Sequence, residues 1–467
     1  MKRFKRIGGA ALNMTVLVLA MYGEASFAAV SAEEAKQLGT TLTRFGAEAG
    51  KNTDGSIPAY TGGLKKSQPA GPDQYADPYA NEKPLYSVTA KNMGEYQALI
   101  GEGTKALLQR FPTYRLDVYP THRSMAYADW FLDNTVKNAT TAKLGGAVEG
   151  DKVTGAAPDG EPFQGIPFPI PKSGYEVMWN AMFHFAPPIA MLSNSSWLVD
   201  TGGSKIPLPN FFAAYMHPWS EQTGKLRKEA YNGVYGFWTT LTSPPTQAGT
   251  VFLNYYLPDS AAPSPIWIYT PGQRRVRKAP EFAYDIPMSA YAGVLFWDEP
   301  WGFVGRMDRF NMKLVGKKEM IVPYNTFGVT NQKTSDEVLG KNHINPEAVR
   351  WEKRRVWVVE ATRKEGARHA YSKRVFYVEE DCWCFVGTES YDNAGKLWRV
   401  ANMYQWPAYD VGGVNGDTFD FIDLQKGNYL VINTGVKDKG NYVRHHKNSD
   451  GLTVHFNPQA VAAGSVR

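Results

Sequence analysis

The stretch from Arg350 to Gln405 constrains the fold more than any other part of this chain. Arg350 to Thr362, with the core VWVVEAT, is rich in β-branched and aromatic residues that suit a pleated surface. Lys364-Glu365-Gly366 supplies a turn, Arg368 to Val378 returns, and Glu379-Glu380-Asp381 turns again. Cys382 to Tyr391 reads as a third strand, Asp392-Asn393-Ala394-Gly395 as a turn, and Lys396 to Gln405 as a fourth strand. Four strands joined by short polar turns form an antiparallel meander. A parallel βαβ unit needs a crossover of about a dozen residues or more, and no gap here is long enough.

The same character extends both ways. From about residue 197 to about 460, runs rich in Val, Ile, Tyr, Phe and Trp alternate with turn clusters. Thr250 to Tyr256 is one run. Pro265 to Thr270, Pro271-Gly272 and Arg274 to Lys278 read as a hairpin, because Pro-Gly is a strong turn signal. Asp308 to Gly316 and Lys318 to Pro323 are expected to pair around Lys317, and GDTFDFIDLQKGNYLVINTG to give one more turn and strand. Helical periodicity is confined to about residues 90–185. Met93 to Phe111 recurs near a 3.6 period and ends before Pro112. Met125 to Val136 and Gly174 to Phe185 are the other expected helices, separated by a Gly/Pro-rich loop over 144–171. Residues 29–85 form a Pro/Gly-rich arm. Helices first and strands afterwards predict an α+β fold, with one large antiparallel sheet covered by the N-terminal helices. Residues 86–467 are expected to form a single domain.

The chain starts with Lys2, Arg3, Lys5 and Arg6, then an uncharged run from Ile7 to Tyr22, then Ser26-Phe27-Ala28. This is the layout of a secretory signal peptide cut after Ala28, and the run is short for a bilayer span, which needs about 20 residues. Charge is close to balanced. The 51 basic and 45 acidic residues become 47 and 44 once the four basic residues and one acidic residue of 1–28 are removed. That surplus argues against a nucleic-acid partner.

Motifs for chemistry are scarce. No G-x-S-x-G elbow, Walker loop or H-E-x-x-H occurs. No catalytic residue, cofactor or metal ligand set is assigned, and an enzymatic activity is not expected. The only cysteines, Cys382 and Cys384, fall in a strand-like run. Extended residues two apart have Cα atoms about 6.5–7 Å apart, at the edge of disulfide geometry, so packed thiols and a strained bridge both remain open. His445-His446 reads as a solvated turn, and Asp417, Asp420 and Asp423 as turn caps. Arg274, Arg275, Arg277 and Lys278 crowd one short run. They read either as a solvated edge that discourages strand pairing or as a rim that meets an anionic headgroup through arginine forks.

Several long segments carry a resemblance: LGTTLTRFGAEAGKNTDGSIPAYTGGL, GIPFPIP with GYEVMWN, WIYTPGQRRVRKAP, GKKEMIVPYN, and RWEKRRVWVVEATRKEGARHAYSKRVFYVEEDCWCFVGTESYDNAGKLWRV. Together they resemble a family of proteobacterial envelope proteins catalogued as a domain of unknown function and often labelled outer-membrane lipoprotein-sorting proteins. That family is similar in turn to the Lol-type periplasmic lipoprotein carriers. The resemblance implies an unclosed antiparallel half-barrel, plugged by helices, with a cavity for acyl chains. It implies a periplasmic protein, free or peripheral to the outer membrane, that carries a lipid, lipoprotein or other hydrophobic molecule. It also suggests a resistance-nodulation-division-type exporter or an outer-membrane protein as partner. The alternatives are an accessory protein that only docks such a partner, and a hydrolase of hydrophobic esters. Trp267, Tyr269, Trp357, Phe376, Trp383, Phe385 and Trp398 are the candidate ligand contacts.

Overall fold

The computed structural model describes residues 30–64, 75–146, 148, 150–262, 264–279, 284–452 and 456–461. The expected signal peptide over 1–28, and residues 65–74 of the arm, lie outside them. Among the described residues the main sheet has seventeen strands, of which the principal ones are β1 (Ile189–Val199), β2 (Phe211–Met216), β3 (Tyr235–Leu241), β4 (Val251–Tyr256), β5 (Ile266–Thr270), β6 (Arg275–Lys278), β7 (Phe310–Pro323), β8 (Trp351–Arg363), β9 (Lys373–Glu379), β10 (Phe385–Tyr391), β11 (Leu397–Pro407), β12 (Val414–Asp423) and β13 (Tyr429–Thr434). Pairing is antiparallel along β1 to β6, and again along β7 to β13. The two runs join where β13 pairs with the C-terminal half of β1, whose N-terminal half pairs with β2. β1 is thus shared by two lobes. A further strand, β14 (Tyr442–His446), flanks its N-terminal half. Among the described residues β6 and β7, at the two ends, do not pair with each other, so the barrel is not closed. Leu116–Tyr119 pairs in parallel with the start of β8.

The meander predicted over 350–405 is present, with Val356 to Thr362 paired to Lys373 to Glu379. Three local expectations are corrected. The two short strands expected around Lys317 are one strand, β7, because the chain absorbs the unpaired Val315 as a bulge beside Gly316, at φ 136, instead of reversing there. The terminal segment forms two strands, β12 and β13, turned at Gly427 with φ 77. Cys382 and Cys384 lie in the turn before β10, joined by a disulfide. Trp383 between them takes the left-handed φ of 54°, which brings their Cα atoms to 5.1 Å, well inside the spacing of an extended strand.

The lobe of β7 to β13 is covered on both faces. Helix α1 (Glu102–Arg110) packs Leu107 and Leu108 against a cluster with Val400, Tyr404, Ile422 and Val431. Helix α2 (Asp129–Thr141) adds Phe131 to the opposite cluster, which also holds helix α3 (Gly174–Met182). α3 starts with a capping box between Ser173 and Glu176 and buries nearly its whole length, packing Val177, Met178 and Trp179 with Phe376, Trp383 and Phe385. Its first residue must be glycine, since a Cβ there would collide with the carbonyl of Met312 on β7. No helix among the described residues is long and apolar enough to cross a membrane.

The N-terminal arm is held to this lobe by a buried ion network. Arg354 bonds Glu379 Oε1 (2.8 Å) and Asp381 Oδ2 (2.7 Å), and Arg123 bonds Asp381 Oδ1 (2.6 Å). Arg355 reaches Glu48 of the arm at 3.1 Å, Arg350 reaches Glu82 at 2.7 Å, and the Trp383 indole donates to Phe45 O at 2.8 Å. Burial and the neighbouring carboxylates push Glu379 up to about 7, against the opposing pull of Arg354. Burial also acts on Asp381, but Arg123 and Arg354 more than offset it and hold that carboxyl below its ordinary value.

Candidate functional site

On the lobe of β1 to β6 the two sheet faces have different fates. Strand alternation sends Trp238, Val251, Leu253, Tyr255, Trp267 and Tyr269 to the outer face, where Phe456 and Val461 of the C-terminal segment and Leu226 cover them. The inner face presents Phe211, Tyr215, Phe237, Phe252 and Ile268 to a cavity of about 310 Å³. The chain linking β6 to β7 lies across the other side, lining the cavity from Ile286 to Trp301, and Phe419 and Ile432 of the β7 to β13 lobe contribute to it.

This covering segment is anchored at its far end. Asp298 pairs with Arg374 at 3.0 Å and His369 at 3.1 Å, and Glu299 pairs with Arg399 at 3.0 Å and accepts from Tyr371 OH. At its near end Ile286 is 41% exposed, and Pro287 and Ser289 are exposed as well, so the cavity meets solvent there.

Trp301, in a left-handed backbone conformation at φ 54, fills the space between strands, with its ring 4.7 Å from Tyr235, 5.3 Å from Tyr215 and 6.2 Å from Phe419. Together with Tyr256 it also lines a second, smaller cavity of about 60 Å³, whose mostly apolar wall carries the polar groups of His184, His217, Asn415 and Asp417. Burial pushes Asp417 up to about 7, against the pull of Asn415 and Trp301. His184 and His217, with rings 5.2 Å apart, are both held below the ordinary histidine value, first by burial. Among the described residues the lining of the larger cavity holds hydroxyls (Thr239, Ser289 and three tyrosines) and no histidine, cysteine or carboxylate. Among the described residues no group of three or more His, Cys, Asp or Glu is arranged to hold a metal.

None of the seven aromatics expected to touch a ligand lines the larger cavity. Trp267 and Tyr269 face the other way, and Ile268 between them is the cavity residue. Trp357 stacks on Trp383 at 6.0 Å, and Phe376 lies 5.7 Å from Phe385, within the filled lobe. Phe385 lines the smaller cavity. Trp398 donates to Asp423 at 3.0 Å and lies under Arg399. Two polar groups are also corrected. His445 is buried on β14, bonded to Asp410 at 3.1 Å and Tyr75 OH at 2.9 Å, where a solvated turn was expected. Asp417 and Asp420 are buried on β12, and only Asp423 caps a turn, accepting from Gln425 N at 2.9 Å and Lys426 N at 2.8 Å. The basic run Arg274, Arg275, Arg277 and Lys278 is exposed along the edge strand β6 and the turn before it.

An open, predominantly antiparallel barrel with an apolar cavity under one lobe defines the class. The chain belongs to the family described as "Protein of unknown function (DUF1329)", whose model matches residues 87–462. An uncharacterized protein of Pseudomonas aeruginosa, PA3922, is 36% identical over 462 residues, spanning 98% of both chains. Among solved structures the chain is similar to an outer membrane lipoprotein-sorting protein domain from Vibrio parahaemolyticus, at 13% identity and TM-score 0.38, covering 59% of this chain and 91% of that one. A DUF1329 family protein from Desulfovibrio piger gives 15% identity and TM-score 0.38 over 59% and 92% of the two chains. A LolA superfamily protein from Nitrosomonas europaea gives 10% identity and TM-score 0.32 over 56% and 90%. Superpositions this loose carry no weight beside the strand pairing itself.

Proposed function

We propose that this protein is a non-catalytic carrier of a hydrophobic molecule in the bacterial envelope. The observation that carries the reading is the cavity of about 310 Å³ between the inner face of β2 to β5 and the Ile286–Trp301 segment. Its walls are mostly Phe, Tyr, Trp, Ile, Leu and Pro, and its size reaches the range of about 300 Å³ and above in which small-molecule pockets fall. An apolar cavity of this kind forfeits packing that would stabilise the lobe, and an apolar guest restores it. Export to the periplasm, and exchange of the guest with a resistance-nodulation-division-type exporter or an outer-membrane protein, belong to the same proposal and rest on the sequence alone.

The test is displacement of a neutral apolar dye such as N-phenyl-1-naphthylamine from delipidated protein. Saturable binding is expected. Thr239→Trp, which places an indole in the cavity, is expected to weaken it about tenfold or more while the melting temperature is retained. Folded wild-type protein that binds no dye, and from which native extraction recovers no lipid, overturns the carrier reading in favour of a protein that only docks a partner.

A further inference from the structure

The cavity and the basic edge share one face of the sheet. In the β5–β6 hairpin Ile268 pairs with Arg277 and Thr270 with Arg275. Residues directly opposite on antiparallel strands project to the same side. Ile268 lines the cavity, so Arg275 and Arg277 project from the cavity face, one strand farther out. Lys278 pairs with Trp267 and so shares the opposite, covered face, while Arg274 sits in the turn.

Burial is lowest at this edge, although Phe237 and Thr239 on β3 are also half-buried. Phe211, Tyr215 and Tyr256 are buried, Phe252 and Ile268 are half-buried, and Arg275 and Arg277 are exposed. Ile286, on the facing segment, is exposed although it lines the cavity. The cavity therefore opens beside β6, between two arginines on the strand and an apolar lip on the cover. β6 has no strand on its far side among the described residues.

These arginines also differ from those of the other lobe. Arg350, Arg354, Arg355, Arg374 and Arg399 each pair with a carboxylate. Arg275 and Arg277 form no ion pair with any described residue. Protection of a sheet edge needs only charge, on either face. Two forked donors beside the mouth of an apolar cavity supply what an anionic headgroup needs.

We infer that the guest is an anionic amphiphile with one acyl chain: the chain lies in the cavity, and a carboxylate or phosphate headgroup is held by Arg275 and Arg277. This rests on the carrier reading and adds the chemical class of the ligand. The test uses the same dye-displacement assay with four competitors: palmitate, lysophosphatidate, the uncharged hexadecanol, and inorganic phosphate as the headgroup alone. Palmitate or lysophosphatidate is expected to outcompete hexadecanol about tenfold or more, and their ranking separates a carboxylate from a phosphate preference. Inorganic phosphate alone is expected to displace nothing. Arg275→Gln with Arg277→Gln should erase the preference for the charged competitors while leaving dye and hexadecanol affinity unchanged. Arg274→Gln with Lys278→Gln should leave the preference intact. Equal affinity of acid and alcohol for the wild type overturns this inference and leaves the carrier reading standing. So does a preference that survives the Arg275/Arg277 change, or one that the Arg274/Lys278 change removes equally. A wild type that binds no dye at all removes the carrier reading, and this inference with it.

Discussion

Both lobes are runs of antiparallel strands that share β1, yet they are filled differently. From β7 to β13 both sheet faces are covered: α1 packs on one, and α2, α3 and the aromatic cluster around Trp179, Phe376 and Trp383 pack on the other. The arm is locked to that lobe by arginine–carboxylate pairs. From β1 to β6 the outer face is packed, while the inner face packs Phe211, Tyr215 and Tyr256 into a core cluster and also borders about 310 Å³ of space. The contrast separates two tasks. The filled lobe and the covered outer face hold the sheet in shape, which leaves part of the inner face of β1 to β6 to border a cavity.

The largest effect that tests this contrast is expected at Arg354. Arg354→Ala leaves the buried Glu352, Glu379 and Asp381 short of a partner and should cost about 3–5 kcal/mol in denaturant unfolding. A loss under about 1 kcal/mol would mean that the network does not hold the lobe.

Next is Asp417, at the border between the lobes. Its folded value of about 7 lies above the ordinary 3.8, so the native state binds a proton that the unfolded chain has released. Stability from this group therefore falls as pH rises from about 4 to about 7. Asp417→Asn mimics the protonated form and should gain on the wild type across that window by on the order of 3 kcal/mol, read from melting curves at pH 4.5 and 8. Parallel curves for the two proteins would show that the carboxyl titrates normally.

A third comparison sets one phenylalanine in each lobe side by side. Phe376→Ala in the filled lobe should cost about 3–5 kcal/mol, whereas Phe252→Ala, already bordering space, should cost about 2 kcal/mol less. Equal costs would mean that the second lobe is packed like the first. The smallest effect is expected at the disulfide. Cys382 and Cys384 close a loop with a sequence separation of only 2, which constrains little of the unfolded chain. Replacing both by serine should cost about 1.5 kcal/mol or less by urea titration, and a larger loss would give the turn a role in seating Trp383.

The meander was legible because its signals are local: β-branched runs such as VWVVEAT and polar turns such as Asp392–Gly395 sit next to each other in sequence. The cavity was not, for a specific reason. Alternation says that half of the strand aromatics face inward but not which half, and that choice is made by distant cover. Trp267 and Tyr269 turn outward because residues 456–461 pack there, which leaves the inconspicuous Ile268 as the cavity residue. The cavity's other wall, Ile286 to Trp301, belongs to a connection with no regular period. Charge was uninformative in the same way. RWEKRR at the start of β8 reads as a charged run, and what buries Arg350, Arg354 and Arg355 comes largely from elsewhere: beyond Glu352, their partners belong to the arm and to the Glu379–Asp381 turn. The basic run on β6 was legible as a pattern, but the face of each side chain follows only from the register with β5.

The two-sided character of β2 to β5 also bears on how a lineage of such proteins diversifies. Along each strand the residues that hold the sheet together and those that border the cavity alternate one by one, as Trp267, Ile268 and Tyr269 do. A point change at Phe237, Phe252 or Ile268 alters the shape offered to a guest without touching the outer packing. Selection can therefore tune cargo at one set of positions while the neighbouring set stays under purifying constraint, so divergence along these strands should carry a period of two.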